Sequence, residues 1–357
     1  MRLIRARIDS AALRSNLAVI RARAPHSRVM AMVKANAYGH GLVPTALALP
    51  DADAFAVARI EEAQALRFAG IAQRIVLLEG IQTRGQLTTA AELQLDLVVH
   101  EFGQIELLEA WQGVLRFSLW LKVDTGMNRL GFPVDAFATA WARLKALRPA
   151  PLELRVLTHL ACADERTNPA TARQLAALAP LVQGLNVEVS IANSAALLDL
   201  PESHAQWVRP GLALYGVSPF AGELGADFGL RPVMTLESTV LTVREVAAGE
   251  AVGYGAAWRA QRASRIAILA GGYGDGLLRS IPNGAPVLLN GVRVPLTGRV
   301  SMDMIAVDVT ELPAVAVGDR AELWGPNLPV EELAAAAGTI PYELLCAVSQ
   351  RVPLELE

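Results

Sequence analysis

The chain has 357 residues, of which 53% are hydrophobic and 19% are charged, so it can bury a large core and is too apolar to be disordered. Its 32 basic and 35 acidic residues give a formal net charge of -3 without a long run of either sign, which argues against nucleic-acid binding. No apolar stretch has the length that a membrane-spanning helix needs.

The beginning of the chain and its cysteines indicate a cytoplasmic protein. Residues 1–9 carry three arginines and lead into no apolar signal segment. Cys162 and Cys346 are the two cysteines, and their wide separation predicts neither a disulfide framework nor a metal site. We expect both to be free, buried thiols in a reduced compartment.

From residue 29 to residue 216, short apolar runs of strand length alternate with segments of helical period. The clearest predicted helices are Ile60–Phe68, Val134–Leu147 and Ala170–Val182. The eight predicted strands are Val29–Val33, Ala54–Val57, Ile75–Leu78, Leu97–Val99, Phe117–Val123, Leu154–Leu157, Val187–Ile191 and Leu212–Tyr215. Eight parallel βα units favour an α/β fold with a closed (β/α)8 TIM-like barrel. An open doubly wound sheet is the alternative, but no G-x-G-x-x-G motif opens its first crossover.

After Gly225 the pattern changes to short β-type runs that are separated by Gly, Pro and Asn-Gly. These runs are Val233–Glu245, Arg265–Ala270, Pro286–Leu289, Val292–Pro295, Ile305–Val309 and Ala321–Trp324. Asn290-Gly291 predicts a tight hairpin, and a single helix is expected at Val330–Ala337. We therefore predict a barrel domain over residues 1–229 and a C-terminal mostly-β domain over residues 230–357.

Polar residues follow several of the predicted barrel strands. Lys34 ends the first strand, Asp124–Arg129 follows the fifth, His159 ends the sixth, and Asn193-Ser194 ends the seventh. Barrel enzymes place their active sites at the carboxyl ends of the strands, so we expect these residues to share one rim.

A lysine that emerges from an apolar strand is poorly solvated, which lowers its pKa and makes its amine able to form a Schiff base. The alternative is a lysine that extends to solvent. The run Lys34–Gly41, K-A-N-A-Y-G-H-G, closely resembles the lysine motif of alanine racemases, which are pyridoxal-phosphate (PLP) enzymes of fold type III. Further motifs extend the resemblance in order and spacing along the chain: Asp124–Gly131, Thr158–Glu165, Ala192–Ala196, Arg209–Gly216, Val252–Trp258, Gly271–Gly276 and Gly298–Asp303.

The resemblance implies an isomerase that interconverts L-alanine and D-alanine with pyridoxal 5'-phosphate as its cofactor. It implies a cytoplasmic homodimer with shared active sites, which supplies D-alanine as a peptidoglycan precursor. The opposite physiological direction, consumption of D-alanine, stays open.

Racemisation removes a proton from one face of Cα and returns one to the other, so two acid/base groups must flank the reacting carbon. By the resemblance, Lys34 is one of them and also binds the cofactor covalently. Tyr254, in V-G-Y-G-A, matches the second base, which the partner subunit contributes. Taken alone, Tyr254 could equally be a turn aromatic between two glycines.

The resemblance also assigns the residues that hold the cofactor. Tyr38 and Ser194 bind the phosphate with the backbone of Gly211 and Leu212. Arg209 faces the pyridine nitrogen and disfavours its protonation. The full cofactor set is Lys34, Tyr38, His159, Asn193, Ser194, Arg209, Gly211 and Leu212. No metal is implied.

For the substrate, Arg129 matches the arginine that binds the carboxylate, a bidentate role that suits a guanidinium group. Lys122 occupies the position of a lysine that many members carry in carbamylated form, or it is an ordinary strand lysine. Tyr273, Met302 and Asp303 match residues that enter the partner's site near the substrate carboxylate.

Three alternatives are weighed against this interpretation. A broad-spectrum amino-acid racemase is the closest. A fold-type III amino-acid decarboxylase places an acid where Arg209 stands, and a PLP homeostasis protein lacks residues 230–357. Gln350 departs from the tyrosine that some racemases have at its position, so a phosphate or gate contact there is not carried over.

Overall fold

A computed structural model describes residues 2–357, which form two compact units. The barrel unit comprises Asn16–Ala37 and Leu42–Leu214. The sheet unit comprises the residues up to Ser15 together with Tyr38–Gly41 and Tyr215–Glu357. The chain passes from the sheet unit to the barrel unit within the helix Ser10–Arg23.

Eight parallel strands close into a ring in the barrel unit, which confirms the predicted barrel. They are Arg28–Met32, Ala54–Val57, Arg74–Leu77, Asp96–Val99, Ser118–Asp124, Glu153–Leu157, Val189–Ser190 and Trp207–Val208. The ring closes where Trp207 and Val208 pair in parallel with Arg28 and Val29. Most of these strands are buried on both faces, which is why they appear in the sequence as continuous apolar runs.

Helices follow the barrel strands. They are Leu42–Ala48, Ile60–Phe68, Arg84–Glu92, Phe102–Glu109, Phe137–Ala146, Ala170–Val182 and Ser194–Asp199, with 3-10 turns at Val134–Ala136 and Pro201–Ser203. A short strand, Phe132–Pro133, adds to the end of the fifth barrel strand. Ile60–Phe68 and Ala170–Val182 have the bounds predicted from the sequence.

The prediction of the eighth strand was wrong. Leu212–Tyr215 is a 3-10 helix, and the strand is the dipeptide Trp207-Val208. All four residues of the 3-10 helix are fully buried, so they form an apolar run without a period that would separate helix from strand.

The amino-terminal end of the barrel is held by a buried ion network. Arg155 is 2% exposed and pairs with Glu188 at 2.6 Å. Its guanidinium lies 5.1 Å from the ring centre of Trp120, which packs edge to face against Trp207. Barrels use this end for stability, so chemistry is expected at the opposite rim.

The sheet unit is mostly β, as predicted. Its strands are Arg5–Ile8, Met234–Val246, Ala251–Val252, Trp258–Arg259, Ser264–Ala270, Pro286–Leu289, Val292–Pro295, Met304–Asp308, Arg320–Trp324 and Leu354–Leu356. Asn290 and Gly291 have φ values of 49° and 79° and join two antiparallel strands, which confirms the hairpin. The helix Val330–Ala336 is followed by Pro341–Ala347, a second helix that the sequence analysis did not include. Short 3-10 turns lie at Gly225–Phe228 and Tyr254–Ala256.

The first strand, Arg5–Ile8, pairs with Met234–Glu237 and with Leu354–Leu356 in the sheet unit. The division into a barrel domain over residues 1–229 and a C-terminal β domain over residues 230–357 stays a prediction. The expectation of two buried cysteines was wrong, because Cys162 is half-buried and Cys346 is exposed. Within residues 2–357, none of the helices has the length and apolar character that crossing a bilayer requires.

Candidate active site

The first barrel strand leads into a left-handed turn that starts at Lys34. Ala35–Ala37 have φ values of 53° to 54°, a conformation that costs about 1 to 2 kcal/mol for each residue with a Cβ. Two side chains hold the turn: Glu62 accepts from the Ala35 N–H at 2.7 Å, and Asn36 accepts from the Leu42 N–H at 2.9 Å. Strain of this kind collects at functional sites, so the turn singles out Lys34.

Lys122 belongs to a cluster of positive charges in the barrel. Burial lowers its pKa to about 8, together with the charges of Arg209, Arg129 and Lys34, against the opposing effect of Asp124. A lysine with this pKa carries a much larger neutral fraction at neutral pH than a solvated lysine does.

Arg209 is buried and makes every hydrogen bond with a neutral group. It donates to the Thr158 carbonyl at 2.7 Å, the Ile191 carbonyl at 3.0 Å and the Ser190 hydroxyl at 2.7 Å. Its Nη2 also lies 3.2 Å from His159 Nδ1. Burial lowers the pKa of Arg209 to about 10, so the guanidinium stays charged at neutral pH.

His159 is expected to be neutral. Burial holds its pKa well below the ordinary range for histidine, and the positive charges of Arg209, Arg129, Lys122 and Lys34 act in the same direction. The charges of Lys34, Lys122, Arg129 and Arg209 all act on His159, so these four side chains lie within electrostatic range of it. Lys34, Arg129 and His159 are among the residues that were expected to share one rim from their positions after the strands.

Arg129 lies on a loop that Asp124 organises. The carboxylate of Asp124 accepts from the N–H groups of Gly126 at 2.8 Å and Met127 at 2.9 Å. Burial acts to raise the pKa of Asp124, but the backbone N–H groups of the loop outweigh it and lower that pKa. Gly131, with φ at 134°, is required where the loop returns, because a Cβ there would lie 2.6 Å from the Asp124 nitrogen.

Ser194 links the ends of the seventh and eighth strands. Its Oγ accepts from the N–H groups of Gly211 at 2.9 Å and Ala213 at 3.2 Å, and both bonds are buried. A hydroxyl has two lone pairs and one proton, so the proton remains available for donation to an anion. Asn193 caps the helix that Ser194 begins, and Leu212, next to Gly211 in the chain, is fully buried.

Tyr254 lies in the sheet unit on a 3-10 turn. The residue is 67% exposed. Gly253 and Gly255 on either side have φ values of 74° and 70°, which favours glycine at both positions. The two glycines therefore present the phenol on a surface turn.

Tyr273 and Met302 lie on two segments that are bonded to each other. The Tyr273 N–H donates to the Ser301 carbonyl at 3.0 Å, and the exposed fractions of Tyr273 and Met302 are 43% and 52%. Arg351 donates to the carboxylate of the nearby Asp303 at 2.6 Å. The structure thus brings together these three sequence-predicted residues of the sheet unit.

Tyr38 is buried, with its ring stacked on Tyr215 at a centroid distance of 4.9 Å and tilted against Tyr342 at 5.9 Å. Burial raises the pKa of Tyr38, and the Tyr342 and Cys346 side chains add to the effect, so its hydroxyl stays protonated. Gln350 is exposed.

Buried polar residues that connect the rim loops were not predicted from the sequence. Thr125 and Thr158 share a hydroxyl–hydroxyl hydrogen bond of 2.8 Å, and Gln174 donates to Thr125 at 3.2 Å. Thr125 and Thr158 lie inside motifs that were quoted, so attention to their hydroxyls could have identified them. Gln174 lies within a predicted helix, where its sequence position carries no distinguishing pattern.

Comparison with known proteins places this geometry in a family. The family model described as "Alanine racemase, N-terminal domain" matches residues 8–219, and "Alanine racemase, C-terminal domain" matches residues 233–356. The chain is 48% identical over 353 residues to the alanine racemase of Shewanella sediminis, covering 99% of each, and 49% identical over 350 residues to that of Nitrosococcus oceani, covering 98% of each.

Solved structures of alanine racemases also match the chain. The biosynthetic alanine racemase from Pseudomonas aeruginosa matches with a TM-score of 0.97 at 46% identity, covering 100% of both chains. The alanine racemase from Bartonella henselae, described with covalently bound pyridoxal phosphate, matches with a TM-score of 0.91 at 31% identity over 100% of both chains. The chain belongs to the alanine racemase family.

Proposed function

We infer that this chain is a pyridoxal-phosphate-dependent alanine racemase, an isomerase that interconverts L-alanine and D-alanine. The observation that carries this inference is the cluster of Lys34, Lys122, Arg129, His159 and Arg209, all of which lie in or after the carboxyl ends of barrel strands. The cluster combines a lysine amine with cations that suit the phosphate of the cofactor and the carboxylate of the substrate. The chain that carries it belongs to the alanine racemase family.

The residues present fit the cofactor. Its phosphate requires donors, and Ser194 has a hydroxyl proton that its own hydrogen bonds leave available. Its aldehyde requires a lysine amine, and the chain has three lysines. Lys34 alone follows the carboxyl end of a barrel strand, whereas Lys122 lies within a strand and Lys145 is an exposed helix residue. The buried charge of Arg209 would keep a proton off the ring nitrogen. When bound, the cofactor supplies a ring that withdraws the electron pair left at Cα.

The chain's own residues would bind the amino acid and move its proton. Arg129 would hold the carboxylate, which fixes the direction in which Cα–H points. Lys34 Nζ and Tyr254 Oη would each remove the Cα proton of one enantiomer and return a proton from the opposite side. We propose that the two groups come from different chains of a homodimer, and that Tyr273, Met302 and Asp303 enter the partner's site with Tyr254. The exposure of the Tyr254 ring supports this role.

The experiment that tests the reaction is incubation of the purified protein with L-alanine in deuterated water. We expect D-alanine to form, with deuterium at Cα of both enantiomers and no release of CO2. Release of CO2 would favour a decarboxylase instead, and equal turnover of larger amino acids would favour a broad-spectrum racemase.

The expected cytoplasmic location stays a prediction that cell fractionation tests.

Lys122 gives a prediction with a defined pH dependence. Its neutral amine can attack CO2, forming an N–C bond and releasing one proton. The protonated amine repels the positive charge of Arg129, whereas the negative carbamate would attract it. Since its pKa is about 8 and only the neutral amine reacts, the carbamate signal seen with ¹³C-labelled CO2 by NMR should rise between about pH 7 and pH 9.

The matched variant for this measurement is Lys122→Met, which removes the amine and keeps the apolar stem. The carbamate signal should disappear in that variant. A signal of the same size in Lys122→Met would contradict the assignment of the carbamate to Lys122.

A further inference from the structure

A single side chain connects two loops of the proposed site. Gln174 lies on the helix Ala170–Val182 and is 2% exposed. Its Nε2 donates to the His159 carbonyl at 2.9 Å and to the Thr125 hydroxyl at 3.2 Å, and its Oε1 accepts from the Ala161 N–H at 2.8 Å. Both donors and the acceptor of the amide are therefore used, and they reach the loops that follow the fifth and sixth barrel strands.

The same arrangement occurs a second time in the barrel. Gln104 lies on the helix Phe102–Glu109, which follows the fourth strand, and is 1% exposed. Its Nε2 donates to the Glu79 carbonyl at 3.1 Å, and its Oε1 accepts from the His100 N–H at 2.8 Å. Gln104 thus connects the loops after the third and fourth strands with nearly the same hydrogen bonds.

The two glutamines differ in what their loops carry. The loops joined by Gln104 hold no member of the cationic cluster. One loop joined by Gln174 contains His159, and the other runs from Thr125 to Arg129. A 2.8 Å hydrogen bond continues from Thr125 to Thr158, whose carbonyl accepts from Arg209 at 2.7 Å. Gln174 is thus bonded into the network that holds Arg209.

We propose that Gln174 is a positioning residue for racemisation, which fixes the loop of Arg129 relative to the loop of His159. The proposal rests on the proposed function, because it takes Arg129 as the carboxylate-binding residue. Without the amide donors, the 125–129 loop loses its bond to the helix and Arg129 samples several positions. A displacement of about 1 Å in a substrate-positioning group can lower the rate on the order of 100-fold.

The test compares Gln174→Met with Gln104→Met in the holoenzyme. Gln104 Nε2 also lies 3.1 Å from His100 Nε2, so each substitution removes a buried amide with three hydrogen-bond contacts, and we expect similar shifts of the urea midpoint. We expect Gln174→Met to raise KM for L-alanine and lower kcat/KM on the order of 100-fold, while Gln104→Met stays within about 3-fold of wild type. Hydrogen–deuterium exchange should accelerate at residues 125–129 and 159–161 in Gln174→Met and at 79–82 in Gln104→Met.

Equal kcat/KM values for the two variants would overturn the proposal. If Gln174→Met fails to fold, Gln174→Glu replaces it, because an ionised carboxylate keeps the acceptor for Ala161 and loses both donors. A wild-type protein without racemase activity would refute the proposed function instead. In that case hydrogen–deuterium exchange still tests whether Gln174 positions the loop, and unchanged exchange at residues 125–129 in Gln174→Met would overturn the positioning role.

Discussion

Replacement of Lys34 by alanine is expected to abolish alanine racemisation and to remove the visible absorbance of the protein-bound cofactor. The amine is proposed to do two things, holding the cofactor through a covalent bond and moving the Cα proton on one face. The loss of both should lower kcat/KM by at least roughly 10,000-fold. Absorbance of the purified protein and a chiral assay of alanine measure the two effects separately.

Lys145 provides the matched control for this change. It is an exposed lysine on the helix Phe137–Ala146, and Lys145→Ala should keep both the absorbance and the activity of wild type. Borohydride reduction followed by peptide mapping should place the cofactor on the peptide that contains Lys34. Retention of the absorbance in Lys34→Ala, or a label on another lysine, would contradict the assignment.

Replacement of Tyr254 by phenylalanine is expected to stop inversion while leaving proton exchange on one face. Removing one general acid/base group lowers a rate on the order of 100-fold to 10,000-fold. Lys34 is unaffected in this variant, so one enantiomer of alanine should still acquire deuterium at Cα with retained configuration. Chiral chromatography with mass spectrometry of alanine in deuterated water reports both quantities.

The unfolding free energy of Tyr254→Phe is the control for folding, because Tyr254 is exposed. The residue is 67% exposed, and substitutions at such positions change the unfolding free energy by no more than about 0.5 kcal/mol. A Tyr254→Phe protein that is as stable as wild type and racemises alanine at the wild-type rate would exclude the phenol from catalysis.

Physical patterns in the sequence were sufficient for the barrel. The buried strands Ala54–Val57 and Arg74–Leu77 form apolar runs of strand length, and Ile60–Phe68 between them has a helical period. Trp207-Val208 was missed because two residues form no pattern, and the buried Leu212–Tyr215 resembles a strand in composition alone.

The strand nearest the amino terminus, which belongs to the sheet unit, could have been found from the sequence. Arg5–Ile8 alternates arginine with small or apolar residues, and Ala6 and Ile8 are the buried ones. The second helix of the sheet unit, Pro341–Ala347, also has a recognisable start, because proline is common at the first position of a helix.

The site was harder to predict from physical patterns. The left-handed turn Ala35–Ala37 contradicts the backbone preference of alanine, so the motif that begins at Lys34 pointed to it through resemblance and not through propensity. Gln174 and Thr125 are 49 positions apart, and their hydrogen bond depends on the closed barrel. Side-chain contacts across loops of this kind require the tertiary structure.

The most direct test concerns whether Lys34 and Tyr254 act in one site built from two chains. Dimers are assembled from equal amounts of Lys34→Ala and Tyr254→Phe chains, each inactive as a homodimer. If the sites are shared, every hybrid dimer contains one site with both native residues, so random mixing should restore about a quarter of the wild-type activity. If each site uses a single chain, every site in the hybrid lacks one of the two groups, and the mixture would remain inactive.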